Sequence, residues 1–355
     1  MLKKLSLILT IIACFSYVSA QELLWNVDFN TVLNNREGGD ELCPDQTIFF
    51  TRLAPEVGIT IDNGRNRIMG GATWFQPLND QCTGYKIVPT LYYRFDNGKF
   101  NVELGMFPRA HMHERLPRYL WSDSLNYCQP NVRGAMFQYQ HQRGGWLQAV
   151  LDWRQMQTAT RREAFNFTMS GAVPLTSHLW AEGHLYYNHL AKHKYSPEDE
   201  GVIDDATINP MLSLRTTAGA TDWRVSAGAI IQLQRERNEN KWHNPTAFTS
   251  TVNAQWKWIE VEESFTAGKN LFPLYDRFGP ELNLGNPYYC SKVYSRTDLT
   301  AHVVRNYFVD LTATLTFHAT DHCTGFWQQI ACRFYIDSDL WKNKSDKHPP
   351  LKSLF

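Results

Sequence analysis

Between Lys86 and Phe107 apolar and polar side chains alternate with a period of two. Ile87, Pro89, Leu91, Tyr93 and Phe95 form one row, with Thr90, Tyr92 and Arg94 between them. Beyond Asp96-Asn97-Gly98-Lys99, Phe100, Val102, Leu104 and Met106 alternate with Asn101, Glu103 and Gly105. A period of two is a strand signal, and Asn-Gly between two such runs marks a tight hairpin. With Asn97-Gly98 as a type I′ loop, Phe95 is expected opposite Phe100 and Arg94 opposite Asn101, so that the apolar rows coincide.

The pattern recurs along the chain. Leu147, Ala149, Leu151 and Trp153 alternate with Gln148, Asp152 and Arg154; Val225, Ala227, Ala229 and Ile231 with Arg224, Ser226 and Gln232; Val309, Leu311, Ala313 and Leu315 with Asp310, Thr312 and Thr314. There are about sixteen such runs, each close to the roughly 9–11 residues that a tilted strand needs to cross a membrane. No helical period of 3.6 stands out after the first twenty residues. The connections alternate in length: 62–65, 96–99, 143–145, 174–177, 218–221 and 305–307 are short, whereas 34–46, 108–131, 191–206, 235–245 and 268–291 are long. Short turns at one end and long loops at the other are the pattern of an up-and-down barrel in an outer membrane, and a β-sandwich has no reason to follow it.

A meander of this many strands closes into a barrel too wide for its own side chains to fill. The expected fold class is therefore all-β: a transmembrane up-and-down antiparallel β-barrel of about sixteen strands, polar row inward and apolar row toward lipid. Leu91, Tyr93, Phe95, Phe100, Val102 and Leu104 then face lipid. Lys86, Arg94, Glu103, Asp152, Arg154, Glu182, Arg224 and Lys257 are expected in the lumen. Glu263 and Gln328 fall on apolar rows. Charge on the lipid face is costly at mid-depth, so Glu263 is expected near a rim, or at a bulge that turns it inward.

The N-terminus agrees with export. Lys3 and Lys4 precede an apolar run from Leu5 to Val18, and Val18-Ser19-Ala20 supplies small residues for cleavage. Residues 1–20 are read as a secretory signal, 21–337 as the barrel and 338–355 as a polar C-terminal tail. Ile11-Ile12-Ala13-Cys14 is a lesser alternative, a lipoprotein cleavage box. The expected location is the outer membrane of a Gram-negative bacterium. Formal net charge is zero, which gives no electrostatic reason to expect nucleic acid as a partner. Outer-membrane lipid and small hydrophilic solutes are the expected partners.

The loop 108–131 carries the densest charge, with Arg109, His111, His113, Glu114, Arg115 and Arg118. Folded into the lumen, it forms a constriction that filters solutes by size and field. His111 and His113 lack further ligands at metal spacing, so no metal and no cofactor are expected. Six cysteines follow the signal; in an exported chain Cys290 with Cys323, and Cys43 with Cys82, are the expected bridges if any form, because neighbouring loops adjoin in a meander. The 268–291 loop is rich in aromatics and is expected to pack on itself over the barrel mouth. Glu182 and His184 share one strand face, but no Gly-x-Ser-x-Gly or other nucleophile motif accompanies them.

Several short stretches resemble porin-like outer-membrane β-barrels of the Bacteroidota type. They are Gly105-Met106-Phe107-Pro108-Arg109, Leu116-Pro117-Arg118, Ser122-Asp123-Ser124, Arg161-Arg162-Glu163, Ile208-Asn209-Pro210 and Asn270-Leu271-Phe272-Pro273-Leu274-Tyr275-Asp276. The resemblance implies fold and location and names no substrate. The 338–355 tail departs from barrels whose chain ends on the aromatic of the last strand. The leading expectation is a porin-like channel for passive diffusion of small hydrophilic solutes, not an enzyme. A plugged barrel acting as surface receptor or scaffold is the alternative, and a barrel hydrolase acting on lipid or glycan the second.

Overall fold

The computed structural model describes residues 22–42, 44–78, 86–196, 200–342 and 348–355. The signal segment, Cys14, Cys43 and Cys82 lie outside them. Strands run in chain order as β1 (Glu22–Glu37), β2 (Gln46–Ile61), β3 (Asn66–Pro77), β4 (Lys86–Asp96), β5 (Phe100–Pro108), β6 (Asn131–Gln140), β7 (Trp146–Gln155), β8 (Ala164–Pro174) and β9 (Leu179–Leu190). They continue as β10 (Ile203–Ala218), β11 (Thr221–Glu236), β12 (Lys241–His243), β13 (Thr246–Trp256), β14 (Ile259–Gly268), β15 (Val293–Arg305), β16 (Val309–Thr320) and β17 (Thr324–Asp337). Apart from β12, a three-residue flap on β11, each long strand pairs antiparallel with its neighbours in sequence, and β17 pairs with β1. Among the described residues this is a closed barrel of sixteen spanning strands, an outer-membrane β-barrel. No described helix is long and apolar enough to cross a membrane; the crossing is made by strands.

The period of two places the faces as the sequence requires. On β4, Leu91 is 59% exposed and its neighbour Tyr92 4%, and Glu103 on β5 is fully buried. Closure removes every free sheet edge, so the backbone groups inside the bilayer are paired within the wall. The hairpin register differs from the expected one by two residues: Phe95 pairs with Val102 and Asp96 with Asn101. The turn centres on Gly98-Lys99, with Gly98 at φ +79°, glycine in the first central position as a type II′ loop demands. The Asn97 side chain accepts hydrogen bonds from the Lys99 and Phe100 amides at 3.0 and 2.8 Å, which draws the turn one step toward β5. Because the shift is even, no side chain changes face.

Glu263 corrects a second expectation. It lies mid-strand on the outward row, opposite Val252 and Thr297, neither at a rim nor at a bulge. Ser295 Oγ donates to its carboxylate at 2.6 Å, and Thr297 Oγ1 donates to the other oxygen. These hydroxyls take the place of water around the charge. Lys257 corrects a third. The strand ends at Trp256, and Lys257 occupies the tight turn before β14 with φ +51°. It is a turn residue, exposed, and not part of the lumen.

One close backbone approach depends on glycine. Gly105 has φ +123°, and a Cβ there would lie 2.3 Å from the Leu91 carbonyl oxygen. Gly105→Ala is expected to lower unfolding stability by about 1–3 kcal/mol, measured by urea titration in lipid vesicles, with Gly98→Asn as a mild control.

Candidate functional site

Three segments of the chain enter the lumen. From the end of β5 the 109–130 segment turns into the barrel and touches the wall around most of its circumference. Arg109 reaches Asp152 on β7 at 2.5 Å, and His111 Nδ1 lies 2.8 Å from Glu103 on β5. Glu114 meets Arg224 on β11 at 3.4 Å. Tyr119 donates to Asn209 on β10 at 2.6 Å. Arg118 spans two acidic strands, meeting Glu262 on β14 at 2.6 Å and Asp298 on β15 at 3.0 Å.

Near its end this segment forms a helix of one and a half turns, α1 (Asp123–Cys128). Ser122 Oγ caps it by accepting from the Leu125 amide at 3.3 Å. Its first residue, Asp123, pairs with Arg296 of β15 at 2.6 Å. Burial alone would raise the Asp123 carboxyl, but Arg296 and Arg118 outweigh it and hold the group well below the usual carboxylate range. A depressed carboxyl contributes stability that is complete above the unfolded value, about 3.9, and disappears as pH falls through the folded value. The segment should therefore stay docked between pH 7 and pH 4. A protease-protection pattern that changes across that interval would contradict this; Asp123→Asn should weaken protection at every pH.

The second filler is the 269–292 loop. It contains α2 (Tyr275–Leu282), kinked at Gly279. Its aromatics do pack, but against the first segment and inside the barrel rather than over the mouth. Phe272, Tyr288 and Tyr289 join Leu116, Tyr119 and Trp121 in one buried cluster, and the Ser122 amide donates to the Leu284 carbonyl at 2.7 Å. Cys290 and Cys323 lie against this cluster without a disulfide between them, which corrects the expected bridge. Burial first, then the Asp276 charge, push the Cys290 thiol up to about 12, so its reactive thiolate is scarce near neutrality.

The third filler is the tail. After a short helix, α3 (Ser338–Lys342), residues 348–355 turn back into the barrel from the short-turn end. The Leu351 amide donates to the Asn306 carbonyl at 2.8 Å. Lys352 Nζ donates to the carbonyls of Met112 and His113 at 3.1 and 2.6 Å. Phe355 packs on Phe50 and Tyr127.

Of the remaining residues singled out from sequence, Arg94 meets Glu103 at 3.6 Å, and Arg154 donates to Asn188 at 2.8 Å. Lys86 lines an inward recess with Asp152 and Arg154. Glu182 is held between Arg215 and Arg224, each at 2.6 Å. It is therefore not paired with His184 as a base would be. His113 packs on Trp146 with ring centroids 4.3 Å apart, and Arg115 faces the central recess beside Leu116.

A different constellation sits on the outer wall, at the long-loop ends of β9, β10 and β11. Tyr187 OH donates to Asp204 Oδ1 at 2.8 Å, and His189 Nδ1 lies 3.4 Å from the same oxygen. Arg237 grips both Asp204 oxygens at 2.8 and 2.9 Å. Arg235 approaches Asp204 at 3.4 Å and lies over the Trp242 ring. Trp153, Phe165 and His189 form a stack alongside, with centroids 5.1 Å apart at each step. Sequence reasoning missed these residues. Charges at the end of an outward row, where the apolar band stops, were the available signal.

A family model described as lipid A 3'-O-deacylase-type matches residues 15–334. That match overturns the expectation that the chain is not an enzyme, because the matched family is named for a deacylase activity. No curated protein matches. Solved structures similar to this one include three outer-membrane proteins of Pseudomonas aeruginosa. OpdK is 8% identical, with 89% of this chain and 99% of that chain covered at a TM-score of 0.53. OccK8 (OprE) is 6% identical, covering 89% and 98% at 0.55. OpdO is 11% identical, covering 89% and 98% at 0.53. At such identities the likeness speaks for the barrel fold alone.

Proposed function

The chain belongs to the lipid A 3'-O-deacylase-type family, and we propose that it hydrolyses an ester-linked acyl chain of a lipid A-type glycolipid in the outer leaflet. The family match carries this reading. The wall cluster supplies a place for the chemistry. It faces outward at the long-loop end, where an outer-leaflet glycolipid has its ester bonds, and it combines an imidazole with an oriented carboxylate beside aromatic rings.

The roles follow from the geometry. Arg237 and Tyr187 fix Asp204, and Asp204 orients His189 through Nδ1. The second ring nitrogen, Nε2, is then the base. Water gives a proton to Nε2 while its oxygen bonds to the acyl carbon. The tetrahedral intermediate collapses, the carbon–oxygen ester bond breaks, and the proton on Nε2 passes to the departing sugar oxygen. A fatty acid and a free sugar hydroxyl result. Expression in a lipopolysaccharide-producing host, followed by mass spectrometry of its lipid A, tests the reading: the expected change is loss of one ester-linked acyl chain. Unaltered lipid A, with the barrel verified as folded in the outer membrane, would overturn it.

A second reading, passage of small hydrophilic solutes, is favoured by one observation: charged rows including Glu103, Asp152, Glu182 and Arg224 line the interior. On this reading the 109–130 segment, with Arg109, His111, Glu114 and Arg118 against the wall, is the constriction. Ion conductance in planar bilayers distinguishes an open path from a sealed lumen.

A further inference from the structure

One recess of the lumen has a charge imbalance that neither reading uses. It lies between β1, β2, the 109–130 segment, β17 and the tail. Arg52, Arg115 and Lys352 all line it. Among the described residues no carboxylate lies within 4 Å of any of the three. Two of the acids nearby are committed to other cations, and the third, Glu56, reaches none of the three. Asp28 takes a two-pronged bond from Arg333 at 2.8 and 3.2 Å, and Glu114 faces Arg224. Glu56 accepts from Asn26 and Tyr92.

Arg52 is the telling member, only 5% exposed. Its one hydrogen bond, to the Asn126 carbonyl, is long at 3.5 Å, and its guanidinium lies over the Phe355 ring at 5.4 Å. A buried guanidinium without an anion is expensive, and two more cations at the same recess add to the cost. Lys352 spends its hydrogen bonds on neutral carbonyls. The arrangement is that of a site whose counter-charge arrives from outside.

We propose that this recess binds a small anionic solute bearing phosphate or carboxylate groups, held between Arg52, Arg115 and Lys352. Planar guanidinium forks suit both oxyanions, and the lysine adds a point charge. Lys352 belongs to the 338–355 tail, which lies beyond the matched residues 15–334. The ligand would therefore join the tail to the wall and the inward loop at one point. The proposal does not depend on the acyl-ester reading, since the recess is inside the barrel and the His189 cluster outside.

The titration of Lys352 offers a second handle. Burial first, then the Arg115 charge, push its amine down to about 8; Glu114 opposes and Arg333 adds to the effect. An anion binds the protonated amine, so affinity is highest below about pH 8 and falls as pH rises through it.

The test uses the purified full chain in detergent. Inorganic phosphate and succinate are titrated separately by calorimetry against sodium chloride of equal ionic strength. Saturable heat with phosphate, with succinate or with both supports the site and identifies the oxyanion; heat that chloride reproduces, or none, overturns it. Arg52→Met and Arg115→Met should each weaken binding roughly tenfold or more. Arg115 is exposed where Arg52 is buried, so Arg115→Met should spare the fold, and undiminished affinity in that chain also overturns the proposal. Between pH 7 and 9 affinity should fall in the native chain relative to Lys352→Met, a comparison that cancels the ionisation of phosphate itself; an equal change in both removes Lys352 from the site and the proposal with it.

Discussion

Replacing His189 by alanine should lower acyl-ester hydrolysis by about two to four orders of magnitude, the range that a positioned general base contributes. Folding should be unaffected. His189 is on the outer wall, and its backbone pairs with Phe165 and Asp204 whatever the side chain. Asp204→Asn should cost activity as well, because it removes the negative charge that faces the imidazole and replaces one of the two oxygens held by the Arg237 fork with an NH2 group. The two variants separate roles. A base removed costs the whole contribution of His189, whereas a disoriented base costs only part of it. Activity undiminished in folded His189→Ala would move the chemistry elsewhere on the barrel while leaving the family's activity in place.

The other large effect is expected inside. Arg118→Met removes one cation that meets Glu262, Asp298 and Asp123 at 2.6, 3.0 and 3.5 Å. Removing one partner of a fully buried pair costs about 3–5 kcal/mol; Arg118 and Glu262 are only half-buried, which lessens the loss. Arg296 still neutralises Asp298 and Asp123, so the lower end of that range is the expectation. The wall does not depend on this contact, so the loss should appear as release of the loop: protease cleavage between 112 and 128, and a step increase in bilayer conductance. Deleting residues 116–126 should produce the same conductance without the protease signal. If Arg118→Met leaves both measurements at the native level, the ion pairs do not hold the segment in place.

The sixteen strands and their two faces were legible because lipid and lumen impose a period of two on every crossing. The same period hides an even register error. Pairing Phe95 with Phe100 or with Val102 satisfies the alternation equally, and only the Asn97 side chain selects the second. Lys257 was misplaced for a related reason: alternation can run through a two-residue turn without a break. Glu263 was recognised as anomalous, but the remedy came from Ser295 and Thr297 on the next strand, which one strand's sequence does not display. The loops have no period at all. That Tyr119 finds Asn209, or Asp123 finds Arg296, depends on how the barrel closes. The outer cluster escapes the sequence because Tyr187 continues the apolar alternation of its strand, and His189 and Asp204 come together with it only through the pairing of two strands.

Tyr127 has a consequence for how the molecule is put together. Its hydroxyl accepts from Asn34 on β1 at 2.9 Å and donates to Gln329 on β17, while Asn34 also donates to Gln329 at 3.0 Å. These are the first and last strands, and their junction is the seam at which the cylinder is sewn shut. A side chain from the middle of the sequence thus clasps the seam from within. The clasp has no grip until both ends of the chain lie side by side, so it cannot precede closure of the seam, and once formed it resists a parting of β1 from β17. Lateral escape of a molecule from the interior into the bilayer at this seam would have to undo it.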